Sequence, residues 1–396
     1  MNGRAGTVRA LALIATLAML AGGCTWVTVA SHGTDGAQGG AASANPVLDS
    51  VGNYMTFQSD ASNLVDNDTN GVTDVFKVDN VSGHVERPSV ASDGTEANGP
   101  SRNPDIDCCG GFIVFESDAS NLVPGDTNGA TDVFVHNQTT KVTTLVSVAS
   151  DGGPANGPST HPVISADGNW IAFESTANNI VPGVSGHQVY VRQWQSGGPT
   201  RLVSAASCVN GAVTAGNGVS TRPHIDTHGT AVAFTSTSTN FALDPGNGSP
   251  NAYTAPTSGC GSSTVPSLAG YDAAGNIPAR GTVATSIGGD GRYVAFDTYS
   301  SACPATCSVA GVFVRDRTAG TSTAVAPGDP AAAGGRLNQG GNTIVIQATG
   351  PNGVSPVAAV VVLSTGATRV ISTDPSGHAR AIQPLTNPGS GGPALA

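Results

Sequence analysis

The stretch V-I-S-A-D-G-N-W-I-A-F-E-S-T, from Val163 to Thr176, decides the fold because versions of it recur along the chain. Each version reads as a short strand, a glycine turn and a second strand. Six copies are present, with turn glycines at Gly52, Gly110, Gly168, Gly229, Gly291 and Gly341. These glycines are 58, 58, 61, 62 and 50 residues apart, a period that is too long for one hairpin and suits a four-stranded unit.

One repeat contains four predicted strands, a to d, and the third copy places them at residues 161–165, 169–175, 188–193 and 200–207. Because successive strands reverse direction, the a–b and c–d turns share one face, here called the short-turn face. The b–c and d–a connections are longer and form the opposite, long-loop face. Binding residues usually lie on long loops held by a rigid scaffold, so we expect the functional site on the long-loop face, at the mouth of a central channel.

The repeat predicts an all-β fold, a six-bladed β-propeller of four-stranded antiparallel blades over residues 46–375, followed by a C-terminal tail at 376–396. Residues 25–45 resemble the segment that starts at Leu145, and so they contain an extra copy of the last strand of a repeat. This copy is either a strand that closes the ring or part of a tether.

The N-terminus is typical of an export signal. Arg4 and Arg9 precede an apolar run from Ala10 to Ala21, and small residues follow up to Cys24. This segment resembles a bacterial lipoprotein signal, with Ala21 where that family usually has leucine. The resemblance implies a signal peptide at 1–23, lipidation of Cys24 and a tether at 24–45, in an extracytoplasmic protein that is lipid-anchored or periplasmic. A permanent transmembrane anchor is the alternative, although the apolar run is shorter than the ~20 residues that a spanning helix needs.

Charge limits the partners. Charged residues make up 11% of the chain and the net charge is −11, which disfavours nucleic acid and anionic lipid. Cations, neutral glycans and basic protein segments remain plausible partners for a chain that we expect to be monomeric.

Apart from Cys24 there are six cysteines, an even number that favours disulfides in an exported protein. We expect pairs Cys303–Cys307 and Cys208–Cys260, and Cys108 with Cys109 is a further possible pair, since connectivity does not follow from sequence.

The segment D-N-D-T-N-G-V-T-D has the oxygen ligands of a calcium loop at Asp66, Asp68, Asn70 and Asp74, around a glycine that permits a sharp turn. The later copies keep the pattern only in part. The second copy keeps Asp126, Asn128 and Asp132 but has Pro124 in the first place, and Gln188 and Asn251 take the last place in the third and fourth. Side chains that cap the start of strand c would produce the same pattern. Capping is therefore the favoured interpretation, and calcium in the first blade is the alternative cofactor prediction.

A second set of polar residues precedes strand a in successive repeats, at Asn45, Asn103, His161 and Arg222. We expect these residues to ring the channel mouth, where polar groups from separate blades could hold a ligand. Solvated loop residues that cap strand a are the alternative. His187, His224 and His228 have no metal-ligand spacing.

The repeats, and above all Gly168 with Ile171, Ala172 and Phe173, resemble the six-bladed propellers of the TolB family. The resemblance covers about residues 26–375 and implies a role in protein–protein interaction at the bacterial envelope. We therefore predict a non-enzymatic scaffold that binds an envelope protein or glycan on its long-loop face.

The alternative is a carbohydrate-active hydrolase or lyase that uses the loop carboxylates Asp60, Asp93, Asp118 and Asp151. No nucleophile elbow G-x-S-x-G occurs in the sequence.

Overall fold

The structure is a computed structural model. It describes residues 31–33, 36–209, 212–241, 247–258, 265–271, 273–278, 281–288, 290–299, 309–326, 329, 332–338, 340–349 and 357–370. Every regular element in these residues is a β-strand. No helix among them is long and apolar enough to cross a membrane.

The strands form six four-stranded antiparallel sheets, each built from consecutive strands of the chain. Blades 1 and 2 consist of β1 (Ser43–Leu48), β2 (Tyr54–Ser59), β3 (Asp74–Asp79), β4 (Val85–Glu86), β5 (Ser101–Ile106), β6 (Phe112–Ser117), β7 (Asp132–Asn137) and β8 (Thr143–Leu145). Blades 3 and 4, with an added hairpin β13–β14 between them, consist of β9 (Ser159–Ile164), β10 (Trp170–Ser175), β11 (Gln188–Gln193), β12 (Arg201–Leu202), β13 (Ala205–Val209), β14 (Ala212–Ala215), β15 (Ser220–Ile225), β16 (Ala231–Ser236), β17 (Asn251–Pro256) and β18 (Ser267–Leu268). Blades 5 and 6 consist of β19 (Thr282–Gly288), β20 (Tyr293–Tyr299), β21 (Val309–Asp316), β22 (Thr321–Val325), β23 (Ala333–Leu337), β24 (Thr343–Ala348), β25 (Val357–Val362) and β26 (Ala367–Val370).

The blades are arranged as a β-propeller, which confirms the predicted fold. The first strand of each blade contacts the first strand of the next, from β1 through β5, β9, β15 and β19 to β23, and so these strands lie nearest the axis. Pairs of blades enclose shared apolar cores, such as the one that joins Val114 and Val135 of blade 2 to Ile171 and Phe173 of blade 3. The hydrophobic free energy of folding therefore comes mainly from packing between blades.

Aromatic rings support five of these sheets. In blades 1 to 5, opposed residues of the second and third strands stack with ring centroids 5.6 to 6.0 Å apart. The pairs are Phe57–Phe76, Phe115–Phe134, Phe173–Tyr190, Phe234–Tyr253 and Phe296–Phe313. In blade 6 the same position holds Ile346 opposite Ala359, so this blade folds without the stacked pair.

The turn glycines have a physical reason in the structure. All six adopt a positive φ, between 65° and 81°, which an L-residue with a side chain rarely adopts. Four also lie against the aromatic residue that begins the second strand of the preceding blade. A Cβ at Gly168 would lie 2.6 Å from Phe112, and one at Gly229 would lie 2.2 Å from Trp170. The glycine thus forms the turn and allows the blades to approach.

Two segments differ from the expected strands. The fourth strand of blade 3, predicted over 200–207, is only Arg201–Leu202, because Ser204 turns back and its hydroxyl accepts the N–H of Val189 at 3.1 Å. The chain then forms the hairpin β13–β14. Near the N-terminus, His32 and Gln38 form a bridge like those of Val90 with Glu96 and Val148 with Pro154, so residues 31–33 and 36–40 copy a d–a connection ahead of blade 1.

Candidate functional site

The four residues predicted before strand a lie inside the first strands, at β-bulges. Asn45, Asn103, His161 and Arg222 occupy the third positions of β1, β5, β9 and β15, with φ from 49° to 57°, and strand pairing skips at each of them. The expected loop position, and the alternative of solvated loop caps, are therefore corrected. A bulge redirects a side chain out of the strand's regular alternation, and such bulges are frequent at the rims of binding sites. We call these four residues and Gly334 of blade 6 the bulge residues.

In blades 2 to 6 the bulge region of the first strand connects the blade to the one before it. The backbone N–H of Asn103, His161, Arg222, Ala284 or Gly334 donates to a side chain on the second strand of the preceding blade at 2.6 to 3.0 Å. The acceptors, here called the belt acceptors, are Gln58, Glu116, Glu174, Thr235 and Asp297. An N–H that a bulge removes from strand pairing is thereby satisfied.

At the long-loop side of this belt, polar side chains from successive blades meet. Asn45 Nδ2 donates to Asn103 Oδ1 at 2.6 Å, and Asn103 Nδ2 donates to Glu116 Oε1 at 2.9 Å. His187 Nε2 lies 2.8 Å from Glu174 Oε2, and His161 Nδ1 lies 3.7 Å from Glu174 Oε1. The two imidazoles keep about a third of their surface exposed, whereas Glu174 is buried. The rim thus offers histidine and amide groups to a ligand and keeps its carboxylates in structural contacts.

A second tier of charged residues lies two positions further along the first strands, at Asp105, His224 and Arg336. The side chains of Asp105 and His224 are partly exposed to the channel, and that of Arg336 is exposed. The surrounding blades nevertheless exclude most of the solvent around Asp105 and His224. This desolvation raises the pKa of Asp105 to about 6 and lowers the pKa of His224 well below its usual value. Arg336 reaches His224 across the front of blade 5, with Nη1 at 3.3 Å from Nδ1.

The predicted calcium loop is occupied by an arginine. Nη1 of Arg87 lies 3.0 Å from Asp68, 3.5 Å from Asp74 and 2.7 Å from Glu96, and Asn70 donates to Asp74 at 2.8 Å. Asp66 lines a surface groove beside Arg87. Among the residues that the structure describes, no three His, Cys, Asp or Glu side chains form a group that could hold a metal ion. The carboxylates that would bind a cation here are neutralised by the guanidinium.

The later copies of this loop have a capping geometry. Asp132 accepts from Asn128 and from Ser147, whose hydroxyl in turn accepts the N–H of Val133. In blade 3, Gln188 and Ser204 make the equivalent contact at 2.6 Å. In blade 4 Gly270 takes the place of the serine, the hydroxyl of Thr282 accepts the N–H of Ala252 at 2.8 Å instead, and the side-chain oxygen of Asn251 is buried without a partner. In blades 2 and 3 the recurring Asp or Gln therefore joins the start of the third strand to the end of the fourth.

The loop carboxylates proposed for glycoside chemistry make local contacts. Asp60 and Asp118 each accept a threonine hydroxyl at 2.6 Å, and Asp118 also pairs with Arg102 at 3.0 Å. Asp93 and Asp151 accept backbone N–H groups two residues further along their own turns. Each of the four therefore stabilises a loop.

The cysteines are described in part. Cys108 and Cys109 form a vicinal disulfide in the a–b turn of blade 2. Cys208 lies in the added hairpin rather than at the end of an outer strand, and it is disulfide-bonded. Cys24, Cys260, Cys303 and Cys307 lie outside the described residues, so lipidation and the pairs Cys208–Cys260 and Cys303–Cys307 stay predictions.

Sequence reasoning overlooked the belt acceptors and most of the second tier. The signal for the acceptors was present, because a polar residue follows the second-strand phenylalanine in F-Q-S, F-E-S, F-T-S and F-D-T. A polar residue at a fixed place in otherwise buried strands indicates a repeated contact. Asp105, His224 and Arg336 have no common sequence pattern, because this position is valine in blades 1 and 3, at Val47 and Val163, and a different charged or polar residue in blades 2, 4 and 6.

No known protein family matches the chain, and no curated protein matches it in sequence. Solved structures match its shape. They include TolB from Acinetobacter baumannii, at 12% identity and a TM-score of 0.43 over 86% of this chain and 65% of TolB. A prolyl endopeptidase matches at 12% identity and a TM-score of 0.51 over 83% of this chain and 42% of its own. The β-propeller domain of the Trilobed protease from Pyrococcus furiosus matches at 7% identity and a TM-score of 0.51 over 83% of this chain and 84% of that domain.

The chain thus spans less than two thirds of the TolB and endopeptidase chains. At these identities the likeness shows the fold alone.

Proposed function

We propose that the chain is an exported, lipid-anchored β-propeller that binds a protein or glycan of the bacterial envelope at the long-loop mouth of its channel. The observation that carries this proposal is the convergence of bulge residues from different blades on one rim. Asn45 contacts Asn103, and His161 and His187 flank Glu174. Left-handed backbone at a non-glycine residue is costly, and such strain is concentrated at functional sites.

Capture from an envelope extract with the purified propeller tests this function. A double variant, His161→Ala with Arg222→Ala, removes two side chains of the rim. Arg292→Ala is the matched control, because Arg292 is an exposed arginine on the short-turn face, paired with Asp316 at 2.7 Å. We expect one partner to be captured by the wild type and the control and lost with the double variant. A partner that survives the double variant, or no specific partner, contradicts the proposal.

The enzymatic alternative receives no specific support, because the four loop carboxylates make structural contacts. Turnover of a cell-wall glycan by the purified protein that is abolished by Asp93→Asn or Asp151→Asn would establish it.

Lipid anchoring has its own test. Cys24→Ala is expected to move the protein from the membrane fraction to the soluble fraction, because the modified thiol is the proposed anchor. An unchanged membrane distribution would indicate an uncleaved transmembrane segment instead.

A further inference from the structure

Arg336 is a cation of the channel whose charge is not used by the fold. Its guanidinium Nη1 lies 3.3 Å from Nδ1 of the neutral imidazole of His224, a contact that involves no opposite charge. Among the residues that the structure describes, no carboxylate lies within the 4.0 Å of an ion pair with its guanidinium. Burial lowers the pKa of Arg336, while the charges of Asp105 and Asp297 oppose that shift from further away. Among the described residues, a guanidinium without an ion-pair partner therefore lies near enough to two carboxyl groups for their charges to interact.

Asp297 provides a second unsatisfied group beside it. Its side chain is on the second strand of blade 5, and the residue is only 9% exposed. Oδ2 accepts the N–H of Gly334 at 3.0 Å, whereas Oδ1 is buried without a hydrogen-bond partner. Buried polar atoms are nearly always paired with protein, water or a ligand. Unused donor capacity at Arg336 and unused acceptor capacity at Asp297 thus lie near enough for the two charges to interact.

We propose that the channel binds a small organic carboxylate on the guanidinium of Arg336. A planar guanidinium presents paired N–H donors that match the two oxygens of a carboxylate, and the enclosure strengthens their attraction relative to open water. The two carboxyl groups nearby favour a singly charged anion over a phosphate dianion. Oδ1 of Asp297 accepts a hydroxyl or water that accompanies the ligand.

This site goes beyond the proposed envelope-binding role, because it lies on the second tier of the channel and not on the rim. A macromolecule at the rim and a small acid in the channel use different side chains. Either function can therefore be absent while the other is present.

The charged groups around Arg336 give the binding a pH dependence. Burial raises the pKa of Asp105 and of Asp297 to about 6, so both become neutral as the pH falls through that value. Desolvation first, and then the charges of Arg336 and Arg222, lower the pKa of His224 well below the usual value, so His224 stays neutral. Loss of two negative charges strengthens the hold on an anion, so affinity rises from pH 7.5 to pH 5.5.

Calorimetric titration of the full chain with sodium acetate, at constant ionic strength set with sodium chloride, tests the proposal. We expect saturable binding that is about tenfold tighter at pH 5.5 than at pH 7.5. Arg336→Gln should weaken it at least about tenfold. Arg292→Gln, which removes the same charge on the short-turn face, should leave it unchanged.

A melting curve of Arg336→Gln establishes that the variant is folded, so that lost binding reports on the site. The proposal is overturned by acetate that does not saturate at either pH, by affinity that survives Arg336→Gln, or by inorganic phosphate that binds more tightly than acetate at pH 7.5, where phosphate is mostly the dianion.

Discussion

Blade 3 and blade 6 have the same backbone but different side chains. Both have a glycine turn with positive φ, at Gly168 and Gly341, and both donate a bulge N–H to the preceding blade. Blade 3 fills its positions with large groups, including a stacked aromatic pair and a histidine at the bulge. Blade 6 has Ile346 opposite Ala359 and a glycine at the bulge. The fold therefore depends on the backbone features, while the side chains that face the channel are free to differ between blades.

The aromatic pair should give the largest difference between these blades. Phe173→Ala leaves a cavity next to Tyr190 in a fully buried core and is expected to lower the free energy of unfolding by about 3–5 kcal/mol. Ile346→Ala in blade 6 should cost about 2–3 kcal/mol, because a smaller side chain is removed. Urea denaturation measures both, and equal losses would contradict a special role for the stacked rings.

Substitution of Asp297, the belt acceptor between blades 5 and 6, should give the next largest change in the free energy of unfolding. Burial raises the pKa of Asp297 to about 6 in the folded state, above its ordinary value of 3.8. The folded protein thus binds more protons than the unfolded chain between these values, and stability from this group falls as the pH rises from about 4 to about 6. Asp297→Asn should flatten that slope and stabilise the protein at pH 7.5, on the order of 1–3 kcal/mol.

Denaturation series from pH 4 to pH 7.5 measure the slope. Ser220→Ala, at a neutral hydroxyl pair of blade 4, is a control that should leave the slope unchanged. An Asp297→Asn protein with the wild-type slope would mean that this carboxyl does not titrate there.

The turn glycine tests the shared backbone directly. Gly168→Ala places a methyl group 2.6 Å from Phe112 at a φ of 72°, and we expect a loss of about 1–3 kcal/mol. Gly94 has a φ of 86° but nothing within 4 Å of its added Cβ, so Gly94→Ala isolates the backbone strain at about 1 kcal/mol. Thermal melts of the Gly168→Ala and Gly94→Ala proteins measure the two losses of stability. Equal losses would show that blade contact adds nothing to the need for glycine here.

The sequence predicted the fold because its signal was repeated six times, and each copy confirmed the others. It misplaced the bulge residues by treating N-P, H-P and R-P as loop ends, since a proline after a polar residue usually indicates a turn. The second tier was not predicted because Asp105, His224 and Arg336 are 119 and 112 residues apart along the chain, and only the arrangement of blades around a common axis brings them near one another. A single sequence carries no such long-range information.

The smallest effect is expected in the loop of blade 1 that has a calcium-like sequence. Arg87 already neutralises Asp68 and Asp74, so removal of calcium with a chelator should leave the melting temperature unchanged. Arg87→Ser, which frees the carboxylates, is the variant in which added calcium should raise it. A wild-type protein that loses stability with chelator and regains it with calcium would restore the metal interpretation.

The belt also has a direction. Each belt acceptor accepts an N–H that belongs to the following blade. A blade synthesised without its successor therefore has a belt acceptor that lacks this hydrogen bond. During synthesis, which begins at the N-terminus, order would spread through the blades one unit behind the emerging segment. We expect a fragment that ends between two blades to leave its last belt acceptor without an N–H donor. The stability of one blade then depends on the presence of the blade that follows it.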